Sequence, residues 1–206
     1  MSPNDRGPLD IDAAGGPDSG PLAVLDTRRS VPFLQLEAPG PDQPTLLRLL
    51  RSAVRVPDHG KRVPFRFLSL RDDARRVFGE RLAARHAQLD PQASETVIDK
   101  DCDRDLHAPL IVVAIARLGP DGKIPEQERL LSAGCTCFAL LLGAQALGFR
   151  GCWLTGWAAY DLEVARMLGL QADERVIGFI HLGSPKIAVP DRDRPDPAAL
   201  LAEWTP

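Results

Sequence analysis

The 206-residue sequence has little net charge: 25 Lys and Arg stand against 28 Asp and Glu, leaving −3. Without a broad positive field to hold a polyanion, nucleic acid is not an expected partner. The four cysteines, at 102, 135, 137 and 152, lack zinc-ribbon spacing, and no metal site is expected. Cys135 and Cys137 fall in an apolar, helical-looking run, where thiols pack as small hydrophobes. No basic patch precedes an apolar core at the N-terminus, so no secretory signal is read, and reduced thiols point to the cytoplasm. The most apolar stretch, residues 133–149, contains Thr136, Gly143 and Gln145 and falls short of the ~20 residues a spanning helix needs. It predicts a buried helix and no membrane partner. There is no internal repeat, no G-x-G-x-x-G and no G-x-x-x-x-G-K-[ST], which leaves a Rossmann or P-loop site unsupported. Nor is there a Ser/His/Asp signature or a paired-carboxylate motif. The absence of an obvious nucleophile favours chemistry carried by a cofactor.

What is present is a folding composition, 44% hydrophobic and 26% charged, of a size for one domain or one subunit of an obligate dimer. Residues 1–20 are dense in Pro, Gly and Asp without a period and read as a floppy tail. Pro21 then opens a short helix through Leu22, Val24 and Leu25 that ends in Arg28-Arg29-Ser30. Helical spacing of Leu46, Leu47, Leu49, Leu50 and Val54 predicts a helix over 43–55, stopped by Val56-Pro57. A strand is expected over 65–70 and a charged amphipathic helix over 72–89, with Ala74, Val77, Phe78, Leu82 and Ala83 inward. Residues 91–105 fit no one pattern. The β-branched run 109–116 predicts a strand covered on both faces. A long helix follows over 125–147, ending at Gly148, then a strand over 149–154, a helix over 161–168 capped by Asp161, and a buried strand over 175–182. From about residue 184 the chain is rich in Pro and charge, as an extended arm laid over a partner subunit would be.

Three constellations could carry chemistry. Arg28-Arg29-Ser30 offers two guanidinium forks and a hydroxyl that can surround a phosphate; the same residues also suit a solvated helix end, with cations at its negative pole. In Arg55-Val56-Pro57-Asp58-His59, the proline ends a helix and turns the chain, so that Arg55 and His59 can project from one loop. The plainer alternative is a helix-end charge and a turn histidine. Residues 151–157 (G-C-W-L-T-G-W) combine glycines, which let a backbone approach a flat ring closely, with the Thr155 hydroxyl; a tight turn with aromatic packing reads equally well. His86, His107 and His181 read as structural.

Taken together, these stretches resemble the compact branch of the FMN-dependent NAD(P)H nitroreductases. There a short helix leads into R-R-S, the next helix ends in R-[AV]-P-D-H, and the long central helix carries S-A-G-C. Here the matching residues are Arg28-Arg29-Ser30, Arg55 to His59 and Ser132-Ala133-Gly134-Cys135. The likeness continues through 144–149, 153–156 and 176–185, covering about residues 21–186. It implies an α+β fold, a mainly antiparallel sheet flanked by helices, in an obligate homodimer whose termini cross between subunits. It further implies FMN held by Arg28, Arg29 and Ser30 at its phosphate and ribityl end and by Leu154, Thr155 and Gly156 at the ring. Arg55 and His59 would approach from the other subunit or line the cleft, with Arg55 as the cation near the pyrimidine. Ala144, Gln145, Ala146, Leu147, Gly148 and Phe149 would bind the nicotinamide. The implied activity is ping-pong transfer of hydride from NADH or NADPH through FMN to a nitroaromatic, quinone or similar small acceptor; the alternative is a flavin-storing or flavin-sensing protein with little turnover. Two positions depart from the family pattern. Pro32, Phe33 and Leu34 stand where relatives carry a basic residue after the R-R-S serine, and Arg66 replaces a usual His or neighbouring polar residue.

Overall fold

The computed structural model describes residues 22–206, the side chain of Cys102 excepted; the expected tail over 1–20 and the first-turn role of Pro21 lie outside them. In chain order the elements are helix α1 (Ala23–Asp26), strand β1 (Leu36–Glu37), α2 (Gln43–Ala53), β2 (Phe65–Arg71), α3 (Asp72–Leu89), α4 (Glu95–His107), β3 (Leu110–Arg117), α5 (Glu126–Ala146), β4 (Arg150–Leu154), α6 (Leu162–Met167) and β5 (Glu174–Pro185). Every strand pairing among them is antiparallel. The sheet runs β2-β3-β5-β4, and β1 adds to the far end of β5 through Leu36 opposite Pro185 and Glu37 opposite Ser184. This is the α+β fold with a mainly antiparallel sheet that the family resemblance implied.

The layers follow from the two-residue period of β3. Leu110, Val112 and Ala114 face one side and pack with Leu46, Leu49 and Ala53 of α2 and Cys137, Leu140, Leu141 and Ala144 of α5. Ile111, Val113 and Ile115 face the other, against Phe78 and Leu82 of α3 and Val164 of α6. Seven of the eight β3 residues are buried. Each such aliphatic side chain contributes about 1.5–3 kcal/mol, which explains why the least polar strand lies in the middle.

Local signals set the helix ends. The Asp42 carboxylate accepts the Thr45 N–H at 2.8 Å at the start of α2, where Pro44 occupies the first turn. Asp161 caps α6, accepting from Glu163 N (2.9 Å) and Val164 N (3.0 Å), as expected. Residues 95–107, which fitted no pattern, form α4. Its inward positions include the carboxylates Asp101 and Asp105, so no apolar stripe marks the helix. Three further expectations are corrected. Ala74 is exposed on α3, while Phe78 and Leu82 are buried. Strand β5 runs on through Pro185, because β1 supplies partners for residues 184 and 185. Cys135 is exposed: it lies on the side of α5 turned away from the sheet, whereas Cys137, two residues on, is buried against it. Burial raises the Cys137 thiol to about 12 and that of Cys152 to about 11, so both stay protonated as packing groups. Helix α5 is long and apolar enough to cross a bilayer, but its Ser132, Ala133, Thr136, Cys137 and Leu140 are committed to the protein interior.

Candidate active site

Arg28, Arg29 and Ser30 follow α1 and are held by the C-terminal part of α5. The Gln145 side chain donates to Val24 O and Thr27 Oγ1, both at 3.0 Å, and accepts the Arg29 N–H at 3.4 Å. One residue later, Val31 N donates to Gly151 O at 3.0 Å, which ties the segment to the start of β4. The C-terminal segment crosses over it. Arg194 donates to Arg28 O at 3.3 Å, and Arg29 pairs with Asp191. Between the two segments lies a cleft of about 240 Å³, lined by Arg28, Arg29, Ser30, Arg192 and Arg194 among others. A second cleft of about 360 Å³, lined by Leu25, Asp26, Arg28, Phe138 and Arg194, continues it onto the outer face of α5.

Four guanidiniums thus share one small volume, with Asp191 as the acid paired to Arg29. Arg28 and Arg192 have no carboxylate partner among the described residues. Partial burial, then the neighbouring Arg194, Arg192 and Arg29 charges, lower Arg28 below its ordinary pKa, although an arginine so placed stays protonated. Uncompensated like charge held by a folded backbone is a site that an anion would relieve.

The ring-facing candidates lie at the other end of β4. Leu154 stands three residues, about 10 Å, along β4 from Gly151, whose carbonyl ties down Val31 beside Ser30. Gly156 has φ 61° and ψ −170°, a conformation essentially restricted to glycine. Just before it, the Trp153 indole donates to Ile177 O at 3.0 Å and covers Gly178, where a β-carbon would collide with the indole nitrogen. An elongated molecule with an anionic end and a flat end matches this spacing.

The 55–59 loop stands elsewhere. Val56 packs with Phe65 of β2, and the Ser132 hydroxyl of α5 donates to Pro57 O at 2.6 Å. Asp58 accepts from Arg62 N and Val63 N, both at 2.9 Å, and His59 Nδ1 lies 2.6 Å from Glu128 Oε2. Lys61 (φ 54°) and Val63 (φ 48°) are held in the left-handed region, the latter unusual for a β-branched residue. The loop is therefore strained and braced, with Arg55 and His59 exposed. β2 and β4 are the two edges of the sheet, with β3 and β5 between them, so one chain leaves Arg55 and His59 at the opposite edge from Leu154–Gly156.

Residues 25–184 match the family model described as the nitroreductase family. The chain belongs to the nitroreductase family. It is accordingly an oxidoreductase, and its membership is supported by 30% identity over 181 residues to the protein described as "Putative NAD(P)H nitroreductase YdjA" of Escherichia coli (strain K12), covering 87% of this chain and 97% of that one. Among solved structures, a nitroreductase-like family protein from Bacillus cereus superposes with a TM-score of 0.74 at 21% identity, covering 88% of this chain and 94% of that one. An oxidized iodotyrosine deiodinase bound to FMN and 3-iodo-L-tyrosine shares the fold at a TM-score of 0.62 and 17% identity, covering 84% and 94%.

Within the nitroreductase fold, Arg192 and Arg194 escaped the sequence reading. They sit in a polar terminal run some 160 residues from Arg28, and only the fold brings them back. The departure at Arg66 has a structural cause. Its guanidinium binds both oxygens of Glu174 at 2.6 Å, and this bond holds the Glu174 carboxyl down to about 2. Of the 144–149 stretch, Ala144 is buried and Gln145 is committed to α1, while Ala146, Leu147 and Gly148 are exposed.

Proposed function

We propose that this nitroreductase-family chain binds FMN, one per subunit of a homodimer, and uses it to pass electrons from NADH or NADPH to a small oxidised acceptor. The four-arginine cleft carries this reading: it has the charge and position for a phosphate, and its Arg28–Ser30 wall is tied through Val31 to the start of the strand that leads to Gly156. Arg28, Ser30, Arg192 and Arg194 hold the phosphate, while Arg29, paired with Asp191, keeps the terminal segment in place. The main chain of Leu154, Thr155 and Gly156 lines the ring, unhindered by a β-carbon at 156. When bound, FMN supplies the hydride chemistry, taking hydride from the nicotinamide and giving it to a nitroaromatic, quinone or similar electron-poor acceptor in alternating half-reactions. The exposed edge of Ala146–Gly148 is left for the nicotinamide.

The second copy enters through geometry. Arg55 and His59 reach the site from the partner, since one chain places them at the wrong sheet edge. The outer face of α5 supports this, with Leu131, Cys135 and Phe138 exposed along one side and Phe138 lining the cleft beside Arg28. The terminal arm, held to its own chain as far as Arg194, crosses between subunits beyond that residue in the same assembly, in the cytoplasm.

Titration with FMN and riboflavin tests the reading. Charge-assisted bonds of about 1.5–3 kcal/mol each predict that Arg28→Ala weakens FMN about 10- to 100-fold and leaves riboflavin unchanged. Equal affinity of the wild-type protein for the two flavins would remove the phosphate cleft from the proposal. Rapid bleaching of the bound flavin by NADH or NADPH in stopped flow separates turnover from flavin storage.

A further inference from the structure

The inward face of α4 holds a polar hub. Asp101, only 3% exposed, accepts hydrogen bonds from His86 Nδ1 on α3, from an Arg104 terminal nitrogen at 2.9 Å on its own helix, and from Trp157 Nε1 at 3.2 Å. Trp157 follows directly on Gly156, so a buried carboxylate anchors the turn that leaves β4. Arg104 lies against the same turn: its other terminal nitrogen is 3.6 Å from the point where a β-carbon at 156 would stand. That nitrogen and Nε have no protein acceptor among the described residues, and the side chain is 28% exposed.

We propose that Arg104, steered by Asp101, is the cation this chain presents at the ring-contacting turn, where it favours the added negative charge of reduced flavin over the oxidised form. The inference rests on the reading of Leu154–Gly156 as the flavin contact. Three observations carry it. The family position after Ser30 is filled here by Pro32, Phe33 and Leu34, and Phe33 packs at a tilt against His107 and His181, with ring centroids 6.0 and 5.9 Å away. Arg55, the other candidate, is exposed at the opposite sheet edge and comes to the site only from the partner, whereas Arg104 stands in the same subunit as Gly156. Arg104 has its stem fixed on a helix, one arm fixed by a buried anion, and its remaining donors directed outward beside Gly156. A preorganised cation of this kind acts on charge that develops at the site without having to be gathered there.

The experiment measures the two-electron midpoint potential of bound FMN by dye equilibration, together with the affinity for oxidised FMN. Arg104→Ala and Arg104→Gln should each bind reduced FMN at least tenfold more weakly relative to oxidised FMN than the wild type does, a fall of about 30 mV. Affinity for oxidised FMN, set by the distant phosphate cleft, should stay within about threefold. Arg104→Lys, which keeps the charge, should recover most of the potential. Wild-type potentials in both neutral variants, with flavin bound, would overturn the proposal. A wild-type protein that takes up no FMN would sink the flavin reading itself, and this inference with it.

Discussion

Asp105 and His181 show how single side chains in this fold set pH behaviour. Both are buried, 3.8 Å apart across the α4–β5 contact, and both His181 ring nitrogens and one Asp105 oxygen lack a partner among the described residues. Burial raises Asp105 to about 7, with Asp101 adding to the rise and Arg104 and Arg75 opposing it. Burial, helped by Arg104 and Arg75, holds His181 down to about 3. A carboxyl with a raised folded pKa contributes stability that is full below about pH 4 and lost as pH climbs through 7. A histidine with a depressed folded pKa contributes stability that is full above about pH 6.5 and lost as pH falls toward 3. Between about pH 4 and 6.5 the two slopes oppose and largely cancel. Asp105→Asn removes one of them, so the variant should gain stability over the wild type as pH rises from 4.5 to 6.5, by about 2–3 kcal/mol at 1.4 kcal/mol per unit. Urea denaturation at the two pH values reads the difference, and parallel profiles would count against it.

At the scale of elements, helices and strands with apolar periodicity were legible. The leucines of α2, the β-branched run of β3 and the long α5 announced themselves because their partners are other apolar faces. Helix α4 did not, because its inward positions include Asp101 and Asp105, and the His86 and Trp157 donors that hold Asp101 come from elsewhere in the chain, where no local pattern displays them. The cofactor candidates divided the same way. Arg28–Ser30 and Gly151–Trp157 could be picked out as contiguous stretches, whereas Arg192, Arg194 and Arg104 acquire a role only when the chain returns to those stretches. The Gly156 turn belongs to this scale too. A β-carbon there would meet Arg104 only at ordinary contact distance, so Gly156→Ala should cost about 1–3 kcal/mol through backbone strain alone, read as a lower denaturation midpoint.

For the whole molecule, the outer face of α5 is the feature that a single chain leaves unfinished. Phe138 is 44% exposed in the middle of that face and borders the arginine cleft. Phe138→Glu places a charge on the expected two-fold contact, and the dimer should dissociate to monomers in sedimentation, with FMN lost in parallel. A variant that remains dimeric would put the contact elsewhere. On the proposed reading, the arrangement of the arginines also separates holding the cofactor from holding the fold. Strand β5 ends at Pro185, and the pair at 192 and 194 comes after it. Proteolytic clipping beyond Pro190 would spare every strand of the sheet yet strip half the positive grip, leaving an intact scaffold that has turned pale.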